Sequence, residues 1–328
     1  VEVFTMPKQF IYAVVVLLIA GCSSNAEPAP AATTEKLHKK AYVGLFGDQA
    51  VAVLDTVTNQ VLKTIPVTAP DGLIITPNGK KVYVSSTDTG TVKVIDTAND
   101  TIAGSIDVGE KPAGIAVTPD GSRVVVSVGG AGELSIIDTS TDAVLKQVPV
   151  AAAHASCITA DGRYAYVGSQ ATGAPAVVEV DLVGDAPAQS LPVDKSPRML
   201  SCASKGIYFT AVGLDAVELM DPSTGSLASP IASGGSPHDV RSTSDGKFEL
   251  VVSQTAGDLE FIDVAAGSVI ASVPTGKLAH WITLSSDGTS AYVTNEGDNN
   301  VVIVDLDLRH VTRTIAIGNG PRKMALQP

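Results

Sequence analysis

An aspartate returns through the chain at nearly even intervals: Asp55, Asp96, Asp138, Asp181, Asp221, Asp263 and Asp305 lie 41, 42, 43, 40, 42 and 42 residues apart. Each closes a short run rich in Val, Ile and other β-favouring residues, as Thr91 to Asp96 does, and so reads as a strand end. Seven copies of a unit of roughly 40 residues, each holding several short strands, predict an all-β chain: a seven-bladed β-propeller of four-stranded antiparallel blades. The clearest copy covers residues 80–121. Within it Pro112 to Thr118 is expected innermost, Val82 to Ser85 second, Thr91 to Asp96 third and Thr101 to Val108 outermost.

Two sets of turns carry their own chemistry. Asn78-Gly79, Asp120-Gly121, Asp161-Gly162, Asp245-Gly246 and Asp287-Gly288 supply the positive φ angles of a tight hairpin, while Lys205-Gly206 keeps only the glycine. Four residues after each strand-ending aspartate stand Asn59, Asp100, Asp142, Asp185, Gly225, Gly267 and Arg309. Six of these tolerate the left-handed conformation and Arg309 breaks the rule. The recurring acids therefore have a structural role and are not read as calcium ligands or catalytic acids.

The two ends of the repeat region complement each other. Pro321 to Pro328 matches an inner strand that stops before its turn, and Lys39 to Val43 matches a second strand with no inner strand before it. One blade should therefore take its inner strand from the C-terminal side and its other three from the N-terminal side, which removes the open edges a solenoid would have to cap.

Tyr292-Val293-Thr294-Asn295 spells YVTN, and around it recur P-x-G-I-A-x-T-P-D-G, Y-V and V-I-D-T. Residues 39–328 thus resemble the YVTN family of bacterial and archaeal β-propeller repeats, departing from it in a shortened fifth repeat at Gly206 to Thr210 and a lengthened fourth-repeat loop at Gln170 to Ala176. Relatives of that kind include surface and extracytoplasmic binding proteins, and similar propellers include lactonases and haem d1-binding domains, so the resemblance implies a fold more strongly than an activity.

Ahead of the repeats, Met6, Pro7 and Lys8 precede an apolar run at residues 10–21, too short for an ordinary membrane span but suited to a signal-peptide core. The five residues before Met6 add nothing to that pattern, so translation is expected to begin at Met6. The run ends Ile19-Ala20-Gly21-Cys22, which resembles the bacterial lipobox, and Cys22 is expected to become the lipidated mature N-terminus. Residues 1–22 are therefore assigned to the signal and lipidation site, 23–38 to a flexible tether rich in Ala, Pro, Ser and Thr, and 39–328 to the propeller. This places the protein in the cell envelope, on the extracytoplasmic side of a membrane that it meets through its lipid anchor. A net charge of −12 gives nucleic acid no general electrostatic attraction.

Function in a propeller concentrates on one face near the axis. The position after the recurrent proline reads Asp71, Ala113, His154, Arg198, His238, His280 and Arg322 around the ring, and it holds three of the five histidines. With Lys111, Lys195, Lys277 and Lys323 close by, it predicts a basic mouth for a small anionic ligand, the histidines adding charge as pH falls. Trp281, the single tryptophan, adjoins His280 and is assigned to the same mouth as a stacking face. The competing reading is scaffolding, in which these side chains cap loops and Arg322 pairs with Asp71 across the closure.

No C-x-x-C-H, G-x-S-x-G, H-E-x-x-H or phosphate loop is present, and neither a cofactor nor a catalytic residue is assigned. A binding or scaffolding module, holding a small anion or an envelope protein, is favoured over an enzyme. A lactonase-like hydrolase on the same face and a metal-binding propeller using the mouth histidines are the alternatives. Cys157 and Cys202 fall in inner strands of neighbouring blades with side chains expected on opposite faces, and free thiols are favoured over a disulfide.

Overall fold

A computed structural model describes residues 39–328; the apolar run, Cys22 and the tether lie outside them. The described residues form seven four-stranded antiparallel sheets, with strands running from β1 (Lys40–Leu45) to β28 (Pro321–Leu326). In the first blade β28 pairs with β1, Tyr42 lying opposite Ala325, so the ring closes as the two complementary ends require. The other blades run in chain order: Pro70–Asp107, Pro112–Pro149, Ala153–Pro192, Pro197–Ala232, Pro237–Pro274 and Ala279–Ala316.

Burial is most complete in the second strand of most blades and least in the outermost. Blades stack face to face, so a second strand is covered on both sides; Val82, Tyr83 and Val84 are fully buried, which explains why these segments read as unbroken apolar runs. Outer strands face solvent and retain one anchor each, the sixth residue of most, including Ile65, Ile106, Val148, Leu191, Val273 and Ile315. Truncating such an anchor to Ala typically costs about 2–4 kcal/mol.

All seven residues four places after the strand-ending aspartates have positive φ, Arg309 included at 52°. The fourth blade absorbs its lengthened loop and keeps four full strands, whereas the fifth has an outer strand of only Ile231–Ala232.

Cys157 and Cys202 form a disulfide, with Cα atoms 5.6 Å apart, against the expectation of free thiols. Side chains of opposite orientation stay apart within one sheet, but Cys157 and Cys202 belong to different sheets. Where blades stack, one face of a blade meets the opposite face of the next, so side chains of opposite orientation are the ones that come together.

Candidate functional site

The residue after the recurrent proline, or after Ala153 and Ala279 in the fourth and seventh blades, opens each inner strand at one end of the axis. Asp71, His154, Arg198, His238, His280 and Arg322 converge there on a cavity of about 240 Å³, and Ala113 contributes nothing to it. Lys323 joins them, whereas Lys111, Lys195 and Lys277 do not line the cavity.

The next residue along each inner strand decides what fills the axis. Gly72 and Gly114 let neighbouring backbones touch: a Cβ on Gly72 would stand 2.0 Å from the Ala113 carbonyl oxygen, and one on Gly114 2.4 Å from that of His154. Across the ring the same position carries Met199, Asp239, Trp281 and Lys323, all buried, and these side chains occupy the middle of the channel. Of these, Met199 and Lys323 also line the mouth, whereas Trp281 does not. Its Nε1 donates to the Met324 carbonyl at 3.2 Å, and its ring lines a second cavity below, which corrects its assignment as a stacking face at the mouth. Met199 and Lys323, at the same place in their strands, do line the mouth, so it is the bond of the indole to the neighbouring inner strand at Met324, and not its place in the repeat, that accompanies the lower seat of Trp281.

Arg322 is spoken for. It donates to Asp71 at 3.0 Å and to Glu296 at 3.2 Å, and its guanidinium lies 3.5 Å from the centre of the Phe46 ring. Arg198 meets only neutral acceptors among the described residues, Gln254 Oε1 at 3.1 Å and Ser236 Oγ at 3.4 Å. Lys323 is 3% exposed and has no hydrogen bond among the described residues; its ammonium lies 4.6 Å from the centre of the Trp281 ring. Burial depresses its pKa. The cavity therefore holds three cations against two carboxylates, and both carboxylates belong to Arg322.

The histidines are not a reserve of positive charge. His154 Nδ1 lies 2.9 Å from the Arg198 carbonyl and His238 Nδ1 2.7 Å from that of His280, each imidazole bridging to the next blade. The His238 and His280 rings lie 4.1 Å apart. Burial, reinforced by nearby cations, lowers the pKa of all three, His238 and His280 well below the ordinary value. His280 stands 3.9 Å from Glu296, too far for a hydrogen bond, and its Nδ1 is buried without a partner. Among the described residues no three His, Cys, Asp or Glu side chains converge to hold a metal ion.

Sequence reasoning missed Glu296, Gln254 and the depth of Lys323. The first two share a place in the repeat, the residue just after the second strand, where Phe46, Thr87 and Gln170 also stand. Reading that position around the ring would have found them: Thr87 and Gln170 bind the carbonyls of Pro112 and Pro197 in the next blade, while Phe46, Gln254 and Glu296 attend the mouth arginines.

Comparison of whole folds places this ring among solved propellers of distant sequence. Hydrazine synthase of Kuenenia stuttgartiensis superposes with a TM-score of 0.74 at 19% identity, covering 80% of this chain and 91% of that one. A Bacteroides fragilis protein provisionally assigned as a 6-phosphogluconolactonase gives 0.72 at 16%, covering 90% and 99%, and AztD of Citrobacter koseri 0.65 at 16%, covering 88% and 97%. At such identities the likeness is one of fold alone. No curated protein gives a significant sequence match. The family model for YNCE-like β-propellers matches residues 10–326, a span that takes in all seven blades and their closure. The chain belongs to the YNCE-like β-propeller family.

Proposed function

We propose that this protein is an extracytoplasmic binding module, tethered to a membrane through a lipidated Cys22, whose axial mouth captures a small polyatomic anion. The observation that carries the reading is the pair Lys323 and Arg198: two cations beside one cavity, neither within salt-bridge distance of a carboxylate. An ammonium shielded from bulk water and without an acceptor among the described residues is costly, and an anion accepting from it and from Arg198 would offset that cost. The cavity suits a ligand the size of phosphate, sulfate or a short dicarboxylate together with a few waters. The tether rests on the apolar run and the Ile19-Ala20-Gly21-Cys22 sequence.

Titration calorimetry of residues 39–328 with phosphate, sulfate and succinate tests the mouth. At least one should bind saturably, and Arg198→Gln should weaken it tenfold or more. Silence with all three anions, together with envelope proteins that co-purify after gentle solubilisation, would support the scaffolding role instead. Mass spectrometry of the full chain from a bacterial membrane fraction tests the anchor, since Cys22→Ala should remove both the acyl mass and the membrane association.

A hydrolase on the same face is the second reading, favoured by His280, a neutral imidazole at the cavity with an unbonded Nδ1. Turnover of aliphatic or phosphorylated sugar lactones that His280→Ala abolishes would establish it.

A further inference from the structure

Beyond the layer of Met199, Asp239, Trp281 and Lys323 the axis opens into a second chamber of about 470 Å³, twice the mouth, and no residue lines both. Its walls are mostly hydrocarbon, with Ile74, Ala116, Ile158, Leu284 and Leu326 among them, and the hydroxyls of Ser201, Ser242 and Thr283 that also line it are engaged in hydrogen bonds within the protein. Its charged group is Arg241, stacked on Trp281 with Cζ 4.0 Å from the ring centre. Arg241 Nε donates to Asp239 Oδ2 at 3.2 Å, and that carboxylate, fully buried, also accepts from the Ile282 backbone at 3.0 Å. Among the described residues nothing accepts from the two terminal nitrogens of Arg241. Ser156 lines the chamber too, and its Oγ is buried without a hydrogen bond.

Mostly apolar walls with a few placed polar groups, of which one is charged, are what a small-molecule pocket of this size usually presents. Stacking on Trp281 and the bond to Asp239 hold the guanidinium in place, so its free edge is a preformed fork for a planar carboxylate. The charge balance agrees in sign: Arg241 and Lys323 flank the Trp281 ring, with Asp239 the carboxylate between them. A wholly apolar guest would cover those donors and leave them unsatisfied, whereas a multiply charged one would set its second charge against hydrocarbon.

We propose that this chamber binds an aliphatic monocarboxylate, its head group on the terminal nitrogens of Arg241 and its chain along Ile74, Ile158 and Leu284. The site is separate from the mouth and does not depend on the anion reading given above. The probe is octanoate. Trp281 is the only tryptophan of the chain, so its fluorescence reports occupancy of the chamber without a label. Octanoate should shift that fluorescence saturably, with calorimetry giving the same affinity. Octan-1-ol, with the same body and no charge, should bind at least tenfold more weakly, and Arg241→Gln should cost octanoate at least tenfold. Ala116→Phe, which fills the chamber without touching Arg241, should abolish binding, and Arg198→Gln should leave it unchanged. The proposal is overturned if octanoate gives no saturable signal by either method, or if octan-1-ol binds equally well. It is equally overturned if Arg198→Gln removes binding while Ala116→Phe retains it, which would place octanoate in the mouth. Should Arg241→Gln fail to fold, the octan-1-ol comparison and Ala116→Phe still decide.

Discussion

The guanidinium of Arg309 lies 5.3 Å from the centre of the Phe248 ring in the preceding blade, at the place where elsewhere in the ring a cation meets an aspartate. Lys40 reaches Asp100 at 2.8 Å, Lys81 reaches Asp142 at 2.7 Å and Arg123 reaches Asp185 at 2.6 Å. In each case the first residue of a second strand clasps the left-handed residue of the next blade's outer hairpin. Tyr42 and Tyr83 add hydroxyl bonds to the same carboxylates at 2.6 and 2.5 Å. Between the sixth and seventh blades both partners have changed, aspartate to Arg309 and cation to Phe248, and the contact survives as a cation over an aromatic face. The arginine that breaks the turn rule is thus half of a replaced clasp.

These clasps should differ in worth. Asp142→Gly keeps the positive φ but deletes the acceptor of Lys81 and of the buried Tyr83 hydroxyl, and should cost about 1–3 kcal/mol, the ion pair itself being partly screened by solvent. Arg309→Gly loses a contact of about 0.5–1 kcal/mol and relieves a left-handed cost of similar size, so it should fall within about 1 kcal/mol of the parent. Urea midpoints at constant m-value would measure both.

Lys323 should set binding against stability. Replacing a buried, unbonded ammonium by Lys323→Met removes a desolvation cost, so the variant should melt higher than the parent, by the equivalent of about 1 kcal/mol or more. The same change should weaken phosphate or sulfate at the mouth at least tenfold. A lower melting temperature would mean that Lys323 has a protein acceptor in solution.

Glu249 should make stability fall as pH rises from about 5 to 7. Its carboxyl is 1% exposed and burial holds its pKa up to about 7, with Ser242 Oγ donating to it at 2.6 Å. The unfolded chain releases that proton near the ordinary glutamate value, so between the two values the folded state holds more protons. Stability is then fully present below the lower value and drains away toward the upper, by at most about 1.4 kcal/mol per pH unit. Glu249→Gln should flatten this slope and stabilise the protein at pH 8. The histidines act in the opposite sense: being kept neutral when folded, His238 and His280 make stability fall as pH drops below the ordinary histidine value. Denaturation at pH 5, 6, 7 and 8 separates the two, and the mouth's anion affinity should change little from pH 8 to pH 6.

Reduction should loosen the junction of the fourth and fifth blades. The Cys157–Cys202 bond closes a segment of 45 residues, for which loop entropy gives about 4 kcal/mol as an upper figure. Thiol reductant should lower the melting temperature of the parent and leave that of a Cys157→Ala, Cys202→Ala double variant unmoved.

Periodicity made the fold legible. Asp96, Gly121 and their equivalents obey local rules of turn and strand, and those rules recur in nearly every blade. The site was legible only where it too is a repeated position: His154, Arg198, His238, His280 and Arg322 do meet at one end of the axis. What escaped depends on relations between blades. The partner of Cys157 was misjudged because facing sheets reverse parity, and Trp281 because its ring is held by the Met324 carbonyl of the neighbouring inner strand, a contact that its own repeat does not show. The histidines looked like latent charges because burial at the axis is a property of the closed ring, not of any one repeat.

The pairing of β28 with β1 also bears on how the molecule comes into being. Six blades can assemble from neighbouring sequence as it emerges, but the first must wait for Pro321–Leu326, and until then the flank of β1 is an unpaired edge in a hydrophobic setting. The polar mouth is incomplete over the same interval, because Arg322 and Lys323 ride on that last strand. Completion of the ring and assembly of the binding cavity are therefore a single event, and a truncated or stalled chain offers proteases an open seam but offers a ligand no site at all.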